Sequence, residues 1–233
     1  MKLFMRFAPF YLLVMGLILG TVLWTDQAVT VMARNSTPED RICIIIDAGH
    51  GMPDGGAVSC TGVYESVINL EIAQRLQNML ALLGYETQML RTGPDSVYTQ
   101  GNTIGQKKVS DLKERVRLVN KREDVILLSI HQNHFSESRY SGGQMFYGAA
   151  EGSEGLAKAL QTAFVTHLNP GSNRQAKRAQ GIYLMEHAQY PAVLVECGFL
   201  SNQEEEAKLR TAEYQKSICC VIGCALSQFL SNT

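Results

Sequence analysis

Three unbroken apolar runs constrain the fold of this chain more than any other feature. The first is residues 42–47, with Ile42, Ile44, Ile45 and Ile46 leading to Asp47. The second is residues 125–130, from Val125 to Ile130, and the third is Ala192, Val193, Leu194 and Val195, ending on Glu196. Each has strand length and lacks polar alternation, as strands covered on both faces do. Between them, apolar residues recur at helical spacing. One set is Ile68, Ile72, Leu76, Met79 and Leu83, closed by Gly84; the others are Leu112, Val116 and Val119, then Leu156, Leu160 and Phe164, then Ile218, Val221, Ile222, Ala225 and Phe229. Buried strands alternating with helices predict a single α/β domain, with a mostly parallel sheet and helices on both faces. Shorter strands are expected at 85–90, 144–147 and 182–185. Residues 52–62 and 92–108 read as loops, and Asp111 with Glu114 resembles a capping box.

The chain has 233 residues and a net charge of -1, so bulk electrostatics gives no reason to expect nucleic-acid binding. Its six cysteines include no CxxC pair and are expected to be mostly buried free thiols. The start differs from the rest. Lys2 and Arg6 precede an apolar run over residues 7–24 that is long enough to span a bilayer, with Trp24 placed as an interfacial anchor. Residues 1–24 therefore read as a transmembrane anchor or signal segment, 25–40 as a polar linker and 41–233 as the globular domain. The charge distribution orients that domain outside the cytoplasm. Val31, Met32 and Ala33 offer a cleavage site, but they lie far beyond the apolar run, and an uncleaved anchor is favoured.

In open α/β sheets, ligands bind at the carboxyl ends of strands. Here those ends carry chemistry. Gly49 and Gly51 bracket His50 after the first run, His131 follows the second, Glu196 ends the third, and Glu65 begins the first helix. Two imidazoles and a carboxylate form a catalytic zinc set with a fourth position left for water. A second carboxylate would then move the proton. Glu65 and Glu196 are the two candidates. Glu65 shares the glycine-rich loop with His50 and is assigned to the metal, and Glu196, on a buried strand, to the general base. His134 competes with His131 as ligand, and His131 is preferred because it directly follows the strand. His134 is then a neighbouring or substrate-contacting group, and Asp47 an acceptor for a ligand imidazole.

These residues resemble the zinc-dependent N-acetylmuramoyl-L-alanine amidases of the amidase-3 type. Asp47, Gly49, His50 and Gly51, followed by Asp54, Gly55, Gly56 and Ala57, resemble the family's first zinc motif. Glu65 with Asn69 and Leu70 resembles its glutamate motif. Leu112, Arg115, Val116 and Asn120 resemble its central helix, and Ser129, Ile130, His131 and Asn133 its second histidine motif. Pro191 through Glu196 to Asn202 resembles its catalytic-glutamate motif. The sequence departs from the pattern at His134 and Phe135, where the family has a small residue, and at Cys197, where an aliphatic residue is usual.

The resemblance implies a sheet of about six strands. It implies one Zn2+ held by His50, Glu65 and His131, with Glu196 catalytic and with Asp47, Arg115, Asn133 and His134 in supporting or substrate-contacting positions. The implied reaction is hydrolysis of the amide between the lactyl group of N-acetylmuramic acid and L-alanine in peptidoglycan. The bare domain behind an apolar start is most similar to the spore-cortex, CwlD-like branch, whose product is processed to muramic δ-lactam between the forespore membranes. Residues 92–108 are long enough to carry the site of an activating or regulatory protein partner. Two other readings compete: a zinc peptidase of related fold, and a membrane-tethered wall-binding scaffold with a degenerate site.

Overall fold

The computed structural model describes residues 42–232. In chain order the elements are β1 (Cys43–Ala48), α1 (Glu65–Leu82), β2 (Glu86–Met89), α2 (Ile104–Asn120), β3 (Val125–Asn133), β4 (Gln144–Tyr147), α3 (Ser153–His167), β5 (Lys177–Arg178), α4 (Tyr183–His187), β6 (Ala192–Phe199), α5 (Gln203–Leu209) and α6 (Ala212–Ser231). They form a six-stranded sheet of order β2-β1-β3-β6-β4-β5. The block β2-β1-β3-β6 is parallel throughout. Strand β4 runs antiparallel to β6, and β5 runs parallel to β4.

The apolar runs occupy the middle of this sheet because both of its faces are covered. All six residues of β1 are buried. Ile44, Ile46, Leu128 and Val195 face a core shared with α1, α3 and α6, including Ile72, Phe164 and Ile222. Cys43, Ile45, Leu127 and Leu194 face a smaller core with Val119 of α2 and with Leu184 and Met185 of α4. Each fully buried Leu or Ile contributes roughly 1.5–3 kcal/mol relative to exposure. The parallel register then fixes the site: Asp47 pairs with Ser129, and His131 pairs with Glu196. The carboxyl ends of β1, β3 and β6 lie along one edge.

The sequence reading needs correction at four places. Residues 182–185 are not a strand: Ile182 is the N-cap of α4, and the adjacent Leu184 and Met185 are buried on one side of a short helix. The loop expected over 92–108 ends early, since α2 starts at Ile104, behind a capping box made by Thr103 and Gln106. Asp111 therefore lies inside α2, where its carboxylate accepts from Arg115 Nε at 2.7 Å and from the Val97 amide at 2.8 Å. Among the cysteines, Cys43, Cys197 and Cys219 are buried, but Cys60, Cys220 and Cys224 are exposed. Among the described residues no helix is long and apolar enough to cross a membrane. The anchor expected over 1–24 and the linker over 25–40 lie outside the described residues.

Candidate metal centre

Beyond the end of β1 the chain turns sharply, and two buried arginines hold the turn. His50 has φ 59°, a left-handed conformation that few side chains adopt without support. The carbonyls of Ala48, Gly49 and His50 need partners once the strand ends. Arg91 donates from Nε to Ala48 O at 2.8 Å and from Nη2 to Gly49 O at 3.0 Å. Arg115 donates from Nη1 to Ala48 O at 3.0 Å and from Nη2 to His50 O at 2.6 Å. The Arg115 charge is balanced by Asp111 and by Asp47, both bonded to its guanidinium.

Glu65 enters from the first turn of α1, where the helix dipole favours a negative charge. Its Oε2 accepts from the Ala57 amide at 3.1 Å, and its Oε1 from the Gln132 amide and Asn69 Nδ2, each at 3.1 Å. The two imidazoles meet at this carboxylate. His50 Nε2 is 3.2 Å from Oε2, and His131 Nδ1 is 2.9 Å from Oε1. The donor atoms of His50, Glu65 and His131 all lie within 4.8 Å of one another, a group that could hold a metal ion. Two glycines make room for it. A Cβ on Gly49 would sit 2.2 Å from His131 Nε2, and one on Gly56 would sit 2.7 Å from both Glu65 Oε2 and His50 Cδ2.

The charges agree with a cation site. Burial alone would raise the Glu65 pKa, but hydrogen bonds from His131 and His50 outweigh it and hold the carboxyl far below its usual range. Burial would lower His50, yet Glu65 and Asp54 raise it. Glu196 behaves in the opposite way. Burial, with the Glu65 charge, pushes it well above the ordinary carboxyl value. Its Oε2 is buried without a hydrogen-bond partner, a costly position for a carboxyl with nothing to meet.

The family model for N-acetylmuramoyl-L-alanine amidases, amidase-3 type, matches residues 44–228. The chain belongs to this amidase family. It is 36% identical over 189 residues to the germination-specific N-acetylmuramoyl-L-alanine amidase of Bacillus subtilis, covering 80% of this chain and 79% of that one. The solved CwlD amidase of Clostridioides difficile, determined in complex with the GerS lipoprotein, superposes with TM-score 0.78. It is 33% identical, and the match covers 83% of this chain and all of that one. An N-acetylmuramoyl-L-alanine amidase from Clostridium difficile 630 superposes at 0.72 with 28% identity, over 82% of this chain and 98% of that one.

In this family member the fold brings His50, Glu65 and His131 together and sets Glu196 beside His131 on the adjacent strand. His134 is exposed and outside the donor cluster. Asn133 ends β3 and is partly buried, and its carbonyl accepts from the Leu200 amide at 2.8 Å. Asp47 does not accept from a ligand imidazole. Its carboxylate is taken by Arg115 and by Ser129 Oγ, the latter at 2.6 Å. That role passes to Asp54, whose Oδ2 lies 3.3 Å from His50 Nδ1 and 3.0 Å from Lys108 Nζ. Arg115 is 2% exposed, so it holds the turn rather than touching substrate.

Sequence reasoning missed Arg91, which lies two residues beyond the end of β2 and looks like the start of a surface loop. Asp54 stands in the sequence only as part of the first zinc motif. The spacing of four residues from His50 across a glycine-containing loop was the available signal.

Proposed function

We propose that this chain hydrolyses the amide between the lactyl group of N-acetylmuramic acid and L-alanine in peptidoglycan, using one zinc ion held by His50, Glu65 and His131. The observation that carries the reading is the convergence of those donor atoms beside Glu196, whose Oε2 is buried without a hydrogen-bond partner. The fit to zinc rests on the donor set, two imidazoles and one carboxylate, and on the Asp54 carboxylate at the far nitrogen of His50. Zinc, when bound, supplies Lewis acidity and a water acidic enough to react near neutral pH.

The remaining steps belong to side chains. Glu65 is held in place by its amide donors and does not leave the site to take a proton. Asp54 fixes the His50 tautomer, so that Nε2 carries the lone pair. Glu196, with a raised proton affinity, accepts the proton of the attacking water and returns it to the leaving L-alanine amine. A small cavity of about 90 Å³ beside His50 and His131, partly walled by Ile182, Leu184 and Leu194, gives this chemistry an apolar flank.

We place the reaction outside the cytoplasm, because Lys2 and Arg6 precede the apolar run over 7–24. Similarity to a germination-specific amidase supports a role in spore cortex maturation, upstream of muramic δ-lactam formation. A relative solved with a lipoprotein supports an accessory protein partner here as well. The test is digestion of purified peptidoglycan followed by mass spectrometry. Release of free stem peptides beginning with L-alanine, stopped by a chelator and restored by zinc, supports the reading. Cleavage only within the peptides, or binding without release, overturns it.

A further inference from the structure

Lys108, Asp111 and Arg115 of α2 are spaced by three and then four residues, which lines them up on one face of the helix. All three border the small cavity beside His50 and His131. Arg115 and Asp111 are engaged in the turn at His50. Lys108 has no part in that turn. It lies at the outer end of the line with its side chain half exposed, and its Nζ is 3.0 Å from Asp54 Oδ2. Its neighbour Lys107 is engaged elsewhere, with Nζ 4.7 Å from the centre of the Tyr98 ring.

Asp54 is fixed at its backbone and loosely held at its side chain. Its amide and carbonyl exchange hydrogen bonds with Gly51, each at 3.0 Å. Its carboxylate makes three contacts. Oδ1 accepts from the Gly56 amide at 3.3 Å, Oδ2 lies 3.3 Å from His50 Nδ1, and Lys108 supplies the third. The first two are long for hydrogen bonds, whereas the lysine contact is the shortest and joins two charges. Without Lys108 the Asp54 side chain, 23% exposed, is free to turn toward water.

We infer that Lys108 is a positioning residue for the metal centre: it holds the Asp54 carboxylate on His50 Nδ1 and so keeps Nε2 directed at the Glu65 side of the site. The inference rests on the zinc reading above. His50 Nε2 is the nitrogen that meets Glu65 Oε2, at 3.2 Å, so it is Nδ1 that carries the proton. An acceptor at Nδ1 selects that tautomer and fixes the ring. Lys108 acts one contact further out and is not in the donor cluster. Its positive charge opposes a cation at the centre, but the ammonium is half solvated and largely screened. Loss of the contact therefore outweighs loss of the repulsion. A half-exposed ion pair adds little to folding, which leaves the position open to substitution.

The experiment is a zinc titration of the metal-free full chain in competition with a chromophoric chelator, which reads the dissociation constant without any turnover. Lys108→Met should weaken zinc binding about fivefold, less than the roughly 10–100-fold typical of losing a direct partner of a metal ligand. Lys108→Arg should restore most of the affinity. Asp54→Asn should weaken binding by about tenfold or more, and adding Lys108→Met to it should change nothing further. A lysine that only supported α2 would show its full effect in both backgrounds. Zinc binding by Lys108→Met as tight as in the wild type or tighter, or an undiminished loss on top of Asp54→Asn, overturns the inference and leaves the amidase reading intact. If the wild type binds no zinc, or His50→Ala binds it as tightly as the wild type, the zinc reading fails and the inference falls with it.

Discussion

Replacing Arg115 with methionine tests how the turn at His50 is held. The side chain is 2% exposed and donates to the carboxylates of Asp47 and Asp111 and to the carbonyls of Ala48 and His50. Methionine fills much of the volume and supplies none of these donors. Asp47, 1% exposed, would keep only Ser129. Breaking a buried ion pair from one side costs about 3–5 kcal/mol, against a net domain stability of roughly 5–15 kcal/mol. For a domain of this size that is a fall in Tm of roughly 6–20 °C. Lysine should not rescue the loss, since one ammonium cannot reproduce a planar fork on four acceptors. Adding Asp47→Asn should recover part of it, because the stranded charge is removed. Urea unfolding followed by circular dichroism, in metal-free protein, reads the effect. A second arm measures zinc affinity, which should fall although every donor atom is still present. A stability loss below about 1 kcal/mol would refute the idea that Arg115 holds this turn.

Four further outcomes follow from the same geometry. Glu196→Gln should keep the metal and lose about 10²–10⁴-fold in kcat, as measured by metal analysis and wall hydrolysis; loss of metal would make Glu196 a ligand instead. His131→Ala should lose the metal while His134→Ala keeps it, and the reverse pattern would exchange their roles. Gly49→Ala should abolish metal binding in a chain that still folds, because its Cβ would overlap the His131 ring; wild-type metal content in that variant would contradict the packing. In acid, burial would raise Asp47, but Arg115 and Ser129 hold it below its ordinary value of 3.8. Its contribution is therefore present above about pH 4 and lost as pH falls through the lower folded value, so Asp47→Asn should flatten the stability–pH slope in that range. An unchanged slope would mean Asp47 does not contribute.

The central strands were legible because burial on both faces leaves a signal in composition alone: β1, β3 and β6 are solidly apolar. His50, His131 and Glu196 were legible as strand ends for the same reason. Ile182 through Met185 was ambiguous in kind, since a short apolar run fits a buried strand or one turn of helix equally well. The first two turns of α2 were hidden because Ile104, Lys107 and Lys108 carry no buried stripe; only the Thr103–Gln106 pair signalled them, and the stronger apolar pattern further on drew the boundary. Strand β5 has two exposed residues and no apolar pattern at all. Asp47 is still on β1, where its register sets it opposite Ser129, whereas Asp54 lies 3.3 Å from His50 Nδ1 only after the chain has passed the left-handed turn at His50. Arg91 works through backbone carbonyls alone, and carbonyl partners leave no trace in side-chain spacing.

The most direct measurement is anomalous diffraction at the zinc edge from crystals of the protein grown with zinc. The account predicts one strong peak among His50, Glu65 and His131, with the Glu196 carboxyl facing its open side and His134 away from it. No peak at that cluster, or a peak bound by His134 or Glu196 in place of one of the three, would contradict it.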